Sequence, residues 1–141
     1  KTTHDSSLSP AIYSIIASEI GYKNQAYNYF MQTARLDLDD YNENTYQGVH
    51  TAGMGSAWMT MVYGFAGMRN YKGVLHFNPY LPEKWDRYKF TIKFKGREIL
   101  IELDEDGAHY TLLEGEDLSI KHLNEDLLIS QEKNITVPLK D

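Results

Sequence analysis

Apolar residues recur at steps of three and four through the first half of the chain and at every second position through the second, the change falling near residue 70. The first spacing is that of helices with one buried face, the second that of half-buried strands. Ile12, Ile15, Ile16 and Ile20 share one helical face, Ser9 or Ser7 stands where a cap belongs, Pro10 lies in the first turn, and Gly21 marks the stop. A second helix is predicted from Tyr22, with Ala26, Tyr27, Phe30, Met31, Ala34 and Leu38 in step, ending in the polar loop DLDDYNENTYQG. A third starts near His50 or Thr51 and runs through Trp58, Met61, Val62 and Phe65 to about Met68. Its first turns are thin, because Ala52, Gly53, Gly55, Ser56 and Ala57 let a second backbone or a ligand come close.

Beyond Gly73 the stretches VLHFNPYLP, RYKFTIKFKG, REILIELD and AHYTLLEG read as strands, the last two joined across the loop DEDG. Three short segments follow, around LSIKH, DLLIS and NITVPL. Alternation broken by turn residues predicts an antiparallel sheet folded as a small sandwich or barrel, and hence an α+β chain with helices over 1–70 and sheet over 71–141. Three helices make a thin layer. Faces such as Ile12/Ile16 and Met61/Phe65 lack partners within it, so further helices are expected upstream. The opening KTTHDSSLSP has neither a methionine start nor the features of a signal peptide, which is consistent with a piece of a longer polypeptide.

Charge narrows the choices. Twenty acidic residues against fourteen basic ones, with no Lys/Arg run, give no electrostatic footprint for nucleic acid or an anionic membrane. No apolar run is long enough to span a bilayer. Without cysteine there is no disulfide framework, thiolate zinc site or cysteine nucleophile, and a reducing cytoplasm is compatible.

Candidate chemistry sits at two predicted helix starts. In GVHTAGMGSAW, Gly48 to Trp58, free N–H groups and the positive end of the helix dipole stand behind glycines, and His50 adds a donor or a charge, which suits an anion such as phosphate. The alternative is a capping histidine and small residues that serve helix packing alone. THDSSLSP, Thr3 to Pro10, offers hydroxyls, an imidazole and a carboxylate before a helix, with simple capping as its alternative. Asp37, Asp39 and Asp40 of DLDDY suggest a carboxylate pair or a calcium loop, yet lack the glycine and distal glutamate of an EF-hand and equally describe a solvated helix end. Lys89, Lys93 and Lys95 belong to a wet strand face. Asn134-Ile135-Thr136 matches a glycosylation acceptor, which has meaning only in a secretory compartment. No acidic residue adjoins the anion site in sequence, and no full catalytic set is visible.

THDSSLSP, TARLDLDDY, GVHTAGMGSAW and LHFNPYLPEKW, in this order and spacing across Thr3 to Trp85, resemble the C-terminal part of the disaccharide phosphorylases of glycoside hydrolase family 65. That resemblance implies the last helices of an (α/α)6 catalytic barrel followed by a small antiparallel β-sandwich domain. It also implies phosphorolysis of maltose- or trehalose-like sugars with inversion, giving β-glucose 1-phosphate. Inorganic phosphate is then a co-substrate, with no further cofactor and no metal, and the general-acid glutamate lies upstream of this chain. Phosphate binding carries over to Ser6, Ser7 and His50, with Thr51 and the backbone at Gly53 as lesser contributors. The family also implies a cytoplasmic homodimer. Three other readings stay open: a related hydrolase, an independent helix-plus-sheet scaffold, and a carbohydrate-binding module using Tyr80, Trp85 and Tyr88 as sugar platforms.

Overall fold

The computed structural model describes residues 6, 8–41 and 43–139. The chain divides into two compact units, Lys1–Phe65 and Ala66–Asp141.

The first unit is helical. Helix α1 spans Ser9–Glu19, with Pro10 in its first turn. Ser9 is helical rather than the cap; Leu8 holds that position and no side chain caps it, while Ser7 lies outside the described residues. Gly21, at φ +86°, ends the helix as expected. Its N–H reaches Ser18 O and that of Tyr22 reaches Ala17 O, the paired bonds that close a helix through a left-handed glycine. Helix α2 covers Lys23–Ala34, shorter than its spacing suggested. Leu36, in the connection, is buried, whereas Leu38 is 78% exposed and outside the helix. A 3-10 turn at Thr45–Gln47 leads to α3, Thr51–Met59, which continues as a π-helical segment, Thr60–Phe65. Met68 falls beyond it.

Packing in α1 leaves the Ile12/Ile16 face without partners, as expected, and uses small residues instead. Ala11, Ser14 and Ala17 form its buried side, while Ile12, Ile16 and Ile20 are 48–60% exposed. Small residues win because they let backbones approach: a methyl placed on Gly64 would lie 3.2 Å from Ser18 Oγ and 3.6 Å from Ile15 Cα. A correction applies to Phe65, expected to lack a partner; it is fully buried with its ring 5.2 Å from that of Phe30. Ser14, also fully buried, donates to Ala26 O at 2.6 Å and so ties α1 to α2. Replacing it with alanine should cost about 1 kcal/mol, the net worth of one such bond, readable as a lowered unfolding midpoint.

The helix directions follow from the contacts. Ser14 meets Ala26 and Tyr13 meets Tyr29 (5.6 Å), so α2 runs back along α1. Phe30 meets Phe65 while Leu36 meets Gly53, so α3 runs back along α2. α1 and α3 are therefore parallel, and their N-termini lie at the same end of the helical layer.

Among the described residues the second unit holds eight strands: β1 Arg69–Tyr71, β2 Val74–Phe77, β3 Arg87–Phe94, β4 Arg97–Asp104, β5 Gly107–Glu114, β6 Leu118–His122, β7 Glu125–Ile129 and β8 Ile135–Val137. They form two four-stranded sheets, ordered β1-β2-β6-β7 and β3-β4-β5-β8. The second sheet is antiparallel throughout, but β2 and β6 pair in parallel, so the first is mixed and not purely antiparallel as expected. The chain leaves the first sheet after β2, builds β3, β4 and β5, and returns at β6. β1 went unpredicted; it is the short outer arm of a hairpin closed by Lys72-Gly73, both at positive φ. Lys95 occupies the β3–β4 turn at φ +49°, not a strand face, and donates to Gly73 O.

Alternation in β3 and β4 buries Tyr88, Phe90, Ile92, Ile99, Ile101 and Leu103. The core of this unit centres on Tyr110, fully buried, 5.2 Å from the ring of Phe77. Its hydroxyl donates to His122 Nδ1 at 2.9 Å, and His122 Nε2–H donates to Pro138 O at 2.9 Å, since a carbonyl can only accept. Burial raises the Tyr110 phenol far above its usual range and lowers the His122 imidazole below its ordinary value, so both are neutral at pH 7.

Candidate functional site

His50 is the N-cap residue of α3. It is held from outside its own helix. Asp37, thirteen residues earlier, accepts the backbone N–H of His50 on Oδ2 at 2.9 Å and pairs with the ring Nδ1 through Oδ1 at 2.5 Å. Both side chains are about one-quarter exposed. The ring bond, followed by the backbone bond, lowers the Asp37 carboxyl below its usual value. Asp37 is thus an ionised acceptor, so the proton on Nδ1 belongs to the imidazole and Nε2 faces away from the carboxylate. Nε2 makes no hydrogen bond among the described residues, which leaves it available to a ligand.

The rest of the helix start is less open than the glycines suggested. Thr51 N–H bonds Val49 O at 3.0 Å, while Gly53 and Met54 share His50 O at 2.8 and 3.3 Å. Gly53 is buried, and a methyl placed on it would lie 3.3 Å from Leu36 Cδ2 and 3.6 Å from His50 Cβ. Its lack of a side chain lets the connection after α2 press against α3. Its amide is occupied. Thr51 is exposed, and a methyl placed on Gly55 would meet nothing within 4 Å.

The three aspartates of DLDDY are used separately. Asp39 forms a two-bond ion pair with Arg35 (2.6 and 2.7 Å), and Asp40 accepts the N–H of Thr45 at 3.0 Å. Among the described residues no group of three or more His, Asp or Glu is placed to hold a metal ion, so these carboxylates form no calcium loop.

Ser6 precedes α1 and is exposed; its Oγ accepts the N–H of Leu8 at 3.4 Å. Ser7 lies outside the described residues. Parallel α1 and α3 bring Ser6 and His50 to one end of the helical layer, with the N-terminus of each helix directed there. Sequence reasoning named Asp37 only for a carboxylate pair or calcium loop and missed its hold on His50. A signal existed: an N-cap residue still needs an acceptor for its own N–H, and DLDDY is the carboxylate-rich block just upstream.

The sugar platforms are largely absent. Tyr80 and Tyr88 are 6% and 5% exposed, Tyr88 donates its hydroxyl to Tyr80 O at 3.2 Å, and the half-buried Trp85 ring rests edge-on 5.6 Å from Tyr88. Two of the three rings named for a binding module are core residues. Among the described residues no helix is long and apolar enough to cross a membrane.

Comparison with known proteins places the chain in a family. Residues 1–59 match the description "Glycosyl hydrolase family 65 central catalytic domain" and residues 68–129 match "Glycosyl hydrolase family 65, C-terminal domain". An alpha,alpha-trehalose phosphorylase of Thermoanaerobacter brockii is 50% identical over 130 residues, which is 92% of this chain and 17% of that protein. The maltose phosphorylase of Bacillus subtilis (strain 168) is 42% identical over 123 residues, 87% of this chain and 16% of that protein. A solved structure from the human microbiome, assigned as a kojibiose phosphorylase, superposes with a TM-score of 0.88 at 38% identity, covering 96% of this chain and 19% of its own. The chain therefore spans about one-sixth of the length of the curated relatives it matches. It belongs to glycoside hydrolase family 65, across parts of the family's central catalytic and C-terminal domains.

Proposed function

We propose that the chain is the C-terminal part of an inverting α-glucoside phosphorylase and supplies its phosphate site. The observation that carries this reading is the imidazole of His50, held by Asp37 at the start of α3 with Nε2 unbonded among the described residues, at the same end of the helical layer as Ser6. A protonated Nε2 donates to an anion, and two parallel helix N-termini favour negative charge. Ser6 and the exposed Thr51 add hydroxyl donors at this end, and Ser7, outside the described residues, is given the same role by the family resemblance. Gly53 contributes indirectly by keeping the helix start thin.

The chemistry follows from an oxyanion held beside an anomeric carbon. A phosphate oxygen forms the new bond to that carbon from the face opposite the glycosidic oxygen, whose bond breaks as a carboxylic acid gives it a proton. Phosphate is itself the nucleophile, so one acid suffices; that acid belongs to a segment preceding this chain. Residues 1–70 are then barrel helices and 71–141 a closing β-sandwich, in a cytoplasmic homodimer. The exposed Ile12, Ile16 and Ile20 support this, since barrel neighbours would cover them.

The test uses the full-length enzyme with maltose or trehalose, with and without inorganic phosphate. Turnover should require phosphate and release β-glucose 1-phosphate. Equal turnover in its absence, releasing free glucose alone, would show a hydrolase.

A further inference from the structure

We infer that Asp37 is a positioning residue that makes phosphate capture by His50 depend on one added proton; this rests on the phosphate reading above. The carboxylate grips His50 twice, once at the backbone and once at the ring, so residue and imidazole are oriented together. A carboxylate cannot donate. The Nδ1 position must therefore carry the hydrogen, and in the neutral ring Nε2 is left with a lone pair that repels a phosphate oxygen. Binding becomes attractive when one further proton is present, either on Nε2 facing a phosphate dianion or on the phosphate facing Nε2. The two cases have the same stoichiometry.

Among the described residues no second titratable side chain bonds the imidazole; Glu43, on the connection before α3, is exposed and makes no bond to it. α3 and the π-helical segment carry no Asp, Glu, Lys, Arg or second His. In α1 and α2 the charged residues are Glu19 and Lys23, at the opposite end of the layer. On the connection before α3, Asp40 lies near enough to feel the charge of Asp37 but is engaged by Thr45, and Asp39 is paired with Arg35. Asp37 alone among these bonds the imidazole.

Replacing Asp37 with asparagine changes the logic while keeping the shape. The amide oxygen still accepts the backbone N–H, and the amide nitrogen donates to Nδ1, so the hydrogen of the neutral ring moves to Nε2. Phosphate dianion is then bound without an added proton. In the full-length enzyme the wild-type phosphate KM should rise about tenfold per pH unit on the alkaline side, the slope of a one-proton linkage, whereas in Asp37→Asn it should stay nearly flat. Asp37→Ala should raise the phosphate KM at pH 7 by about tenfold, with the disaccharide KM unmoved. That increase should vanish in a His50→Ala background, as coupled partners require.

A wild-type alkaline slope retained in Asp37→Asn, or additive effects of Asp37→Ala and His50→Ala, overturns the positioning role. If Asp37→Ala fails to fold, the pH slope of Asp37→Asn decides alone. A phosphate KM unaffected by His50→Ala overturns the phosphate reading itself, so the two failures are distinguishable.

Discussion

His50→Ala in the full-length enzyme should raise the phosphate KM by about 10- to 100-fold, because a hydrogen bond to a charged group is worth about 1.5–3 kcal/mol. Two losses combine. The donor to phosphate disappears, and Asp37 keeps the backbone N–H of residue 50 but loses its ring partner, so its negative charge faces an incoming anion with less to offset it. The disaccharide KM should stay near its wild-type value, since phosphate contacts alone are removed. Initial rates at varied phosphate and saturating sugar check this, with melting temperatures recorded so that misfolding is not mistaken for lost binding. His50→Gln, which restores a neutral donor, should recover part of the loss.

The largest expected effect on stability lies in the second unit. Tyr110→Ala should cost about 3–5 kcal/mol for the buried ring, and about 1–3 kcal/mol more because His122 Nδ1 loses its donor. Tyr110→Phe should incur the second cost alone. The basis is a fully buried phenol packed on Phe77 and bonded to an imidazole that in turn holds Pro138 near the end of the chain. The same imidazole sets a pH dependence. Burial lowers its folded pKa below the ordinary 6.5, so as pH falls through that value the unfolded chain takes up a proton that the folded chain refuses. Stability is fully present above that value and declines as pH falls toward the lowered one. Unfolding midpoints at pH 7 and pH 5 should differ more for wild type than for His122→Gln; equal differences would remove His122 from the account.

Much of the fold was legible because burial leaves a periodic trace. The alternation of Tyr88, Phe90 and Ile92 against Lys89, Thr91 and Lys93 marks β3 unambiguously, and its burial follows that pattern. Alternation identifies the two faces of a strand but not its neighbour, so the parallel pairing of β2 with β6 left no mark in either segment. In the first helix the unpartnered Ile12/Ile16 face was legible, but its packing side was not: the tight contacts are made by Ala11, Ser14 and Ala17, small residues that leave no apolar periodicity, while Ile12, Ile16 and Ile20 are exposed. At the site, His50 and the small residues around it were readable from their position at a helix start. The Asp37 contact was not, because a hydrogen bond between residues thirteen apart depends on how the connection folds back over Gly53. The glycines themselves were half understood: Gly53 is thin for the sake of Leu36, and its amide is already bonded.

The most direct measurement is a crystal structure of the full-length enzyme with inorganic phosphate bound. A phosphate oxygen should lie about 2.7–2.9 Å from His50 Nε2, the distance of a charge-assisted bond, with Asp37 still on Nδ1 and the serines before α1 closing the other side. Phosphate held elsewhere, with His50 Nε2 turned to protein or solvent, would contradict it.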